Sequence, residues 1–317
     1  MKDHKIVAVV GATGAQGGGL ARAILADPAR AFSVRAVTRR PESAPACALR
    51  ACGADVVAAD LDRAETLKRA FDGAHAVFCV TNFWEHGSPE RELAQAGAMA
   101  NAVACAGNEH VIWSTLEDTR RWVPLDSDQM PTLHGHYKVA HFDAKGEANA
   151  EFARRNVPAT FLLTSFYFDN FISFPGMAPR RDAGGVLTLT LPMGDKRLPS
   201  IAAEDIGRCA YGVLRGGHAY IGRAVGIAGD HLTGQELASA LSRAVGERVR
   251  YADVTPEAYR RLDIPGADDL GSMFQFKRDF EEIFCAARNV ELARQLNPSL
   301  QTFEQWLRDN GSRILVG

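Results

Sequence analysis

The sequence KIVAVVGATGAQGGGLARAIL, residues 5–25, is the strongest indication of the fold class, because it has the pattern of a strand, a turn and a helix in direct succession. Its first part is mostly apolar and rich in valine, and its last part places apolar residues at helical spacing. Between them lie Gly11, Gly14 and Gly17 in the spacing G-x-x-G-x-x-G. Glycine allows a sharp turn, and the N–H groups that open a helix attract an anion. Glycine triplets also occur in plain turns, but a position between strand and helix favours a phosphate-binding turn.

Strands and helices continue to alternate beyond this unit. The predicted strands are FSVRAVTR, ADVVAAD, AHAVFCVT, HVIWST and PATFLLT, and helical patterns such as AETLKRAFDG and ERELAQAGAMANAVACAG separate them. Neighbouring parallel strands need a crossover connection, so this alternation predicts an α/β fold with a Rossmann-type, doubly wound parallel sheet. We expect a Rossmann domain in residues 1–160 and a smaller mixed α/β region in 161–317. Part of that region, about 200–228, is expected to return to the first domain.

Composition excludes several classes of function. The 36 basic and 38 acidic residues are spread along the 317-residue chain, so no basic block is available for a nucleic acid. The six cysteines show no C-x-x-C spacing, which argues against a zinc site or a disulfide framework, and we expect no metal. No apolar run approaches the about 18 residues of a membrane span, and the N-terminal run is too short for a secretory signal. We therefore expect a cytoplasmic protein.

The residues after the second strand indicate which dinucleotide the glycine turn would hold. NAD(H) usually meets an Asp or Glu there, whereas this sequence has Thr38, Arg39 and Arg40. Guanidinium groups form charge-assisted, bidentate contacts with phosphate, so we expect NADP(H) rather than NAD(H). The alternative is that both arginines are solvated loop residues.

Loops after later strands supply further candidates for contacts with the same ligand. In ADLD, Asp60 and Leu61 are predicted to contact the adenine, and Asp62 is interpreted as the N-cap of the next helix. The loop VTNFWE and the segment TSFYFDNF are predicted to flank the nicotinamide, although core packing explains many of their aromatic residues, Trp84 among them. The predicted dinucleotide contacts are Gly11, Thr13, Gly14, Ala15, Gln16, Gly17, Arg39, Arg40, Asp60, Leu61, Thr81, Asn82, Phe83, Ser114, Lys145, Phe166, Tyr167 and Asn170.

Taken in order, GATGAQG, TRR, ADLD, VTNFWE, HFDAKGE and YFDNF resemble the NmrA-like family of atypical short-chain dehydrogenase/reductases. The resemblance runs from about residue 5 to about residue 310. It looks closest to the branch of animal NmrA-like redox-sensor proteins, in which a histidine likewise replaces the tyrosine. The resemblance implies a Rossmann domain, NADP(H) binding and a smaller C-terminal region over the nicotinamide. In parts of the family it also implies regulation of a partner protein in place of turnover.

The segment HFDAKGE carries the residues that decide between catalysis and regulation. Short-chain reductases use a tyrosine as proton donor and a lysine one helical turn later to bind the nicotinamide ribose. Here Lys145 is present for the ribose, but His141 stands four residues earlier on the same helix face, in place of the tyrosine. Tyr137 lies too far along a continuous helix to substitute, unless the helix breaks within PTLHGHY. His141 is either a proton donor or a structural residue.

Two functions remain open on the sequence alone. The leading hypothesis is an NADP(H)-binding redox sensor or regulator, because the nucleotide-binding residues accompany a missing catalytic tyrosine. The alternative is an NADPH-dependent reductase of a quinone, imine or carbonyl compound. Its catalytic residues would be Lys145 and His141, with Ser114 or Thr115 orienting the substrate. A small-molecule substrate, a regulatory protein partner and a homodimer are each compatible with the sequence.

Overall fold

The computed structural model describes residues 5–316, and its strands occur where the sequence predicts them as far as residue 163. Among these, β4 and β5 are buried along their whole length, as expected for central strands of a parallel sheet covered on both faces. The strands are β1 Lys5–Val10, β2 Phe32–Thr38, β3 Asp55–Ala58, β4 Ala76–Cys79, β5 His110–Thr115, β6 Ala159–Leu163, β7 Phe166–Tyr167, β8 Arg180–Arg181, β9 Leu187–Leu191, β10 Arg197–Ile201, β11 Ala224–Gly226, β12 Asp230–Thr233 and β13 Arg250–Asp253.

Helices cover the sheet and build most of the C-terminal region. Short 3-10 helices occur at Phe83–Glu85, Thr119–Arg121, Gly217–Tyr220 and Gly311–Arg313. The α-helices are α1 Ala15–Leu25, α2 Ala44–Ala51, α3 Ala64–Phe71, α4 Pro89–Ala106, α5 Ala140–Arg154, α6 Asn170–Ser173, α7 Ala203–Gly216, α8 Gly234–Val245, α9 Pro256–Arg260, α10 Ala267–Asp279, α11 Glu281–Ala286, α12 Val290–Leu296 and α13 Phe303–Asn310.

A parallel sheet of seven strands forms the centre of the part of the chain that the structure describes. Its strand order is β11-β6-β5-β4-β1-β2-β3. From β1 the chain proceeds to β2 and β3 on one side, and then returns to β4, β5 and β6 on the other. This reversal opens a crevice beyond the carboxyl ends of β1 and β4, which is where doubly wound folds bind ligands. The predicted α/β fold with a Rossmann-type sheet is confirmed.

Helix α7 packs closely against α1 although the two are far apart in sequence. A Cβ atom on Gly207 would lie 2.0 Å from the backbone nitrogen of Leu20, and one on Gly19 would lie 2.6 Å from the Glu204 carbonyl oxygen. Glycine at these positions therefore lets the two backbones approach. The crossing places α7 on the sheet shortly before β11 (224–226) adds the last parallel strand beside β6.

The C-terminal region surrounds a core that is rich in aromatic residues and to which α5 contributes Phe142. Two three-stranded sheets, β12-β10-β7 and β13-β9-β8, combine parallel and antiparallel pairs. Thr233 caps α8 with a capping box, Thr255 caps α9 and Pro256 follows in its first turn, as the sequence predicts. Helix α10 packs against α5, which brings this region over the crevice of the central sheet.

Candidate functional site

A cavity of about 450 Å³ opens at the carboxyl edge of the sheet. All the residues predicted to contact a dinucleotide, from Gly11 in the glycine turn to Asn170 in α6, line this one cavity, and so does His141. The parallel strands end at the same edge, so residues dispersed over 160 positions of the sequence meet there. Whether each of them contacts a dinucleotide stays a prediction.

The glycine turn has the geometry of an anion-binding loop. Gly11 has a φ of +63°, and its carbonyl oxygen accepts a hydrogen bond of 2.8 Å from the Gly14 backbone nitrogen. A Cβ atom on Gly17 would lie 2.5 Å from that same carbonyl oxygen, so only glycine fits this position. Helix α1 starts after Gly14 with no side-chain cap, which leaves its first N–H groups directed at the cavity end of the helix.

Gln16 connects the glycine turn to the far wall of the cavity. Its Oε1 accepts a hydrogen bond of 2.7 Å from the Ser114 hydroxyl, and its Nε2 donates one of 2.6 Å to the Tyr167 hydroxyl. Ser114, predicted to lie near the nicotinamide or the substrate, is thereby held by Gln16. Thr115 also lines the cavity, but its hydroxyl is engaged within the protein, within hydrogen-bonding distance of Asn149 Oδ1 and the Lys145 carbonyl oxygen.

Arg39 lies at the adenosine end of the cavity, but its guanidinium is already paired. It forms a bidentate ion pair with Glu85, with 2.8 Å between Nη2 and Oε2, and this contact lowers the pKa of the Glu85 carboxyl. Both side chains are more than a third exposed, so the pair contributes little to stability. Arg40 is exposed beside it. Glu85 therefore competes for the arginine that we predict to bind a 2′-phosphate.

Replacing Glu85 with glutamine is expected to tighten NADPH binding two- to fivefold and to leave NADH affinity unchanged. The substitution removes a competing carboxylate whose interaction with Arg39 is worth at most about 1 kcal/mol at this exposure. Isothermal titration calorimetry with both dinucleotides measures the effect, and Glu42→Gln is a control because Glu42 pairs with Arg50 outside the cavity lining. Equal gains for NADPH and NADH would contradict a role of Arg39 at the 2′-phosphate.

The interpretation of Asp62 as an N-cap is wrong. Helix α3 begins after Arg63 without a side-chain cap, and Asp62 instead accepts a hydrogen bond of 2.5 Å from Arg91 Nη2 and one of 2.9 Å from Gln95 Nε2. The bidentate fork of an arginine on α4 outcompetes the local backbone for this carboxylate. Asp60 keeps its place in the cavity, where its side chain accepts from the Asp62 backbone nitrogen.

Lys145 forms an ion pair with a buried carboxylate, that of Glu92, which was not among the predicted site residues. Its Nζ lies 2.6 Å from Glu92 Oε1 and 2.5 Å from the Thr81 hydroxyl, which itself donates to Glu92. Glu92, in α4, is fully buried, and the only basic side chain within 4.0 Å of it besides Lys145, among residues 5–316, is that of His86 at 3.6 Å. Because ion pairing fixes its position, Lys145 presents its ammonium to the cavity wall in one orientation.

His141 is not a free imidazole, because it contacts a carboxylate from the C-terminal region. Its Nδ1 is hydrogen-bonded to Asp269 on α10, and Asp269 also accepts from the backbone nitrogens of Ala140, at 2.6 Å, and His141. Asp269 therefore caps the N-terminus of α5 and orients the imidazole at the same time. Tyr137 precedes α5 in a loop, is buried beside Phe83 and does not line the cavity, so it does not replace the missing tyrosine.

Beyond His141 the cavity continues into an apolar end that the sequence did not predict. Trp84, interpreted as a packing residue, is 40% exposed, and its ring lies 4.9 Å from that of His141 and 5.1 Å from that of Phe174. The remaining residues of this end are Phe142, Met177, Leu270, Met273 and Lys277. The only available sequence signal was the helical spacing of Leu270, Met273 and Lys277, which is equally typical of ordinary core packing.

Within residues 5–316, no group of three or more His, Cys, Asp or Glu side chains has an arrangement that could hold a metal ion. None of the helices in that range combines the length and apolarity that crossing a membrane requires.

The sheet order, the glycine turn and the cavity at the switch point define a Rossmann-type protein in which helix α5 carries His141 four residues before Lys145. The NmrA-like family model matches residues 3–307. The chain therefore belongs to the NmrA-like family, as the sequence motifs indicated.

Proteins similar to this chain include named oxidoreductases and a transcriptional regulator. The chain is 31% identical to the NmrA-like family domain-containing oxidoreductase FrzB of Cladobotryum sp, over 86% of this chain and 83% of that one. The crystal structure of NmrA, a negative transcriptional regulator, in complex with NADP is similar, with a TM-score of 0.77, 23% identity and coverage of 97% and 95%. The Citrobacter sp. triphenylmethane reductase complexed with NADP(H) has a TM-score of 0.73, 19% identity and coverage of 96% and 99%.

Proposed function

We propose that this protein is an NADPH-dependent reductase of an apolar quinone, imine or carbonyl compound. The observation that carries the proposal is the continuation of the cavity beyond His141 into an end lined by Phe174, Met177, Leu270 and Met273. A protein that only binds a dinucleotide needs no apolar chamber at the predicted nicotinamide, whereas an organic substrate does. The oxidoreductase names of relatives such as FrzB support the same conclusion.

The residues at the other end of the cavity fit NADP(H). The first N–H groups of α1 and the glycine turn would hold the pyrophosphate, and Gly17 leaves space that any side chain would fill. Arg39 and Arg40 would bind the 2′-phosphate, with Asp60 and Leu61 at the adenine. When bound, NADPH would supply the hydride. The NADP complex of NmrA supports this assignment over NAD(H), although NmrA has also been crystallised with NAD.

Lys145 and His141 would position the reacting end of the cofactor. Lys145, fixed by Glu92 and the Thr81 hydroxyl, would bind the nicotinamide ribose. Asp269 holds Nδ1 of His141, so this imidazole is fixed in one orientation at the cavity wall. His141 would act here mainly as a wall residue between the ribose and the apolar end.

The regulatory hypothesis has one specific observation in its favour. The contact between His141 and Asp269 joins a residue of the cavity to α10 in the C-terminal region. A cofactor bound beside His141 would therefore affect the packing of α10. A redox sensor needs such a connection between its ligand site and the rest of the protein. Binding of a protein partner, or homodimerisation, would then change with cofactor occupancy.

Absorbance at 340 nm decides between the two functions. The wild-type protein is expected to oxidise NADPH with at least one of 9,10-phenanthrenequinone, 4-nitrobenzaldehyde and 3,4-dihydroisoquinoline, and Lys145→Ala is expected to raise the Michaelis constant for NADPH. His141→Ala is assayed in the same way, because His141 occupies the position of the missing tyrosine. Tight NADPH binding without turnover of any probe, together with a change in oligomeric state by light scattering, would contradict the reductase and support the regulator.

A further inference from the structure

Lys277 lies at the apolar end of the cavity in surroundings that are unusual for a lysine. The residue belongs to α10, is only 2% exposed and lines the cavity. Its Nζ lies 3.3 Å from the sulfur of Met273. Four aromatic ring centroids surround Nζ at 5.4–5.7 Å, those of Phe142, Phe166, Phe274 and Phe284. The rings stabilise an ammonium ion by cation–π interaction but supply no hydrogen-bond acceptor.

No carboxylate neutralises this lysine. Among residues 5–316, none lies within 4.0 Å of Nζ, and the charged groups that act on it are Arg288 and Glu117. These two are already paired with each other, at 2.8 Å between Nη2 and Oε2. Burial lowers the pKa of Lys277 to about 7, Arg288 acts in the same direction and Glu117 opposes them. Ammonium and amine are therefore both populated near neutral pH.

A buried ammonium whose near neighbours are a thioether sulfur and aromatic rings is costly, so the presence of Lys277 in a ligand cavity calls for a functional explanation. Lys277 supplies an amino group to this apolar end. Two of the four phenylalanine rings around it also lie next to His141 or the predicted nicotinamide position. Phe142 follows His141 in α5, with 4.8 Å between their ring centroids, and Phe166 is a predicted neighbour of the nicotinamide. A substrate held between these rings and the nicotinamide would direct its polar atom toward Nζ, since the other surroundings are apolar.

We propose that Lys277 is the proton donor to the substrate, in the role for which the tyrosine is missing at position 141. This inference rests on the proposed reductase function and defines its substrate as a flat apolar molecule with one carbonyl or imine group. The carbonyl carbon gains the hydride supplied by NADPH, its π electrons move to oxygen, and this oxygen takes a proton from Lys277 Nζ. The products are the alcohol, NADP⁺ and a neutral amine, which regains a proton from water.

Turnover of 4-nitrobenzaldehyde by full-length variants tests the proposal. Lys277→Met is expected to lower kcat by about 100-fold or more, because a positioned general acid contributes about 10²–10⁴-fold. Methionine has a similar length and fits an apolar cage, so the variant is expected to fold and to bind NADPH with wild-type affinity. Lys196→Met is the matched control, since Lys196 is an exposed lysine outside the cavity lining. In the wild type, kcat is expected to fall as the pH rises through about 7.

An NMR titration provides a readout that does not depend on turnover. With ¹³Cε-lysine labelling, the chain has seven lysines to resolve, and the resonance absent from Lys277→Met is expected to titrate near pH 7. A titration midpoint above pH 9, or a kcat in Lys277→Met equal to that of the wild type, would refute the role of Lys277 as proton donor. The proposed reductase function would not be affected by either result. Failure of the wild type to reduce any of the three probes would overturn the reductase and this inference together.

Discussion

Replacing Lys145 with methionine is expected to lower the free energy of unfolding by about 3–5 kcal/mol, because it leaves a buried charge without its partner. Glu92 is fully buried, and Lys145 Nζ is the cation 2.6 Å from its carboxylate. His86 lies 3.6 Å from the second oxygen, which has no hydrogen-bond partner, so it compensates poorly. Urea denaturation followed by circular dichroism measures the loss, and NADPH affinity is expected to fall in parallel.

A second substitution separates the buried charge from the loss of packing. In the double variant Lys145→Met with Glu92→Leu, both charges are replaced by apolar groups, and such replacements are often neutral or stabilising. We expect it to recover most of the stability that Lys145→Met loses, while NADPH binding stays weak because the ammonium is gone. If the double variant were as unstable as the single one, the ion pair would not be the cause of the loss.

Replacing Gly17 with alanine is expected to reduce the affinity for NADPH by about 100-fold, because a displaced helix start loses backbone hydrogen bonds to the pyrophosphate and each bond to a charged group is worth about 1.5–3 kcal/mol. A Cβ atom at this position would lie 2.5 Å from the Gly11 carbonyl oxygen and 2.6 Å from that of Val10. Both contacts are with backbone, which cannot rotate away, so the start of α1 must move from the turn. Calorimetric titration with NADPH measures the affinity.

Gly18→Ala is the matched control for this experiment. It makes the same chemical change in the same helix, but the nearest atom that its Cβ would meet is the guanidinium of Arg22, at 3.1 Å, the mobile end of a flexible side chain. Alanine also has the higher helix propensity at both positions, so propensity cannot explain a difference between them. NADPH binding by Gly17→Ala at the wild-type level would refute the glycine turn as the pyrophosphate site.

Local pattern was sufficient to predict the sheet and the position of the cavity. The strand, glycine turn and helix of residues 5–25 have a fixed order, and parallel strands always end at the same edge, so residues that follow them must converge. For this reason Arg39, Asp60 and Lys145 could be assigned to one site from the sequence. The spacing of His141 and Lys145 likewise follows from the helical repeat alone.

Amino-acid patterns were therefore enough to predict the fold family and the cavity wall formed by the Rossmann strands. The partner of each polar side chain became known from the folded chain: Glu92 pairs with Lys145, Asp269 with His141 and Glu85 with Arg39. In the sequence, a glutamate or lysine on an amphipathic helix looks the same whether it faces water or the interior. Pairing and burial depend on how helices such as α4 and α10 pack, and the packing of α10 joins residues as many as 146 positions apart. Lys277 became a candidate proton donor only because α10 places it among four aromatic rings.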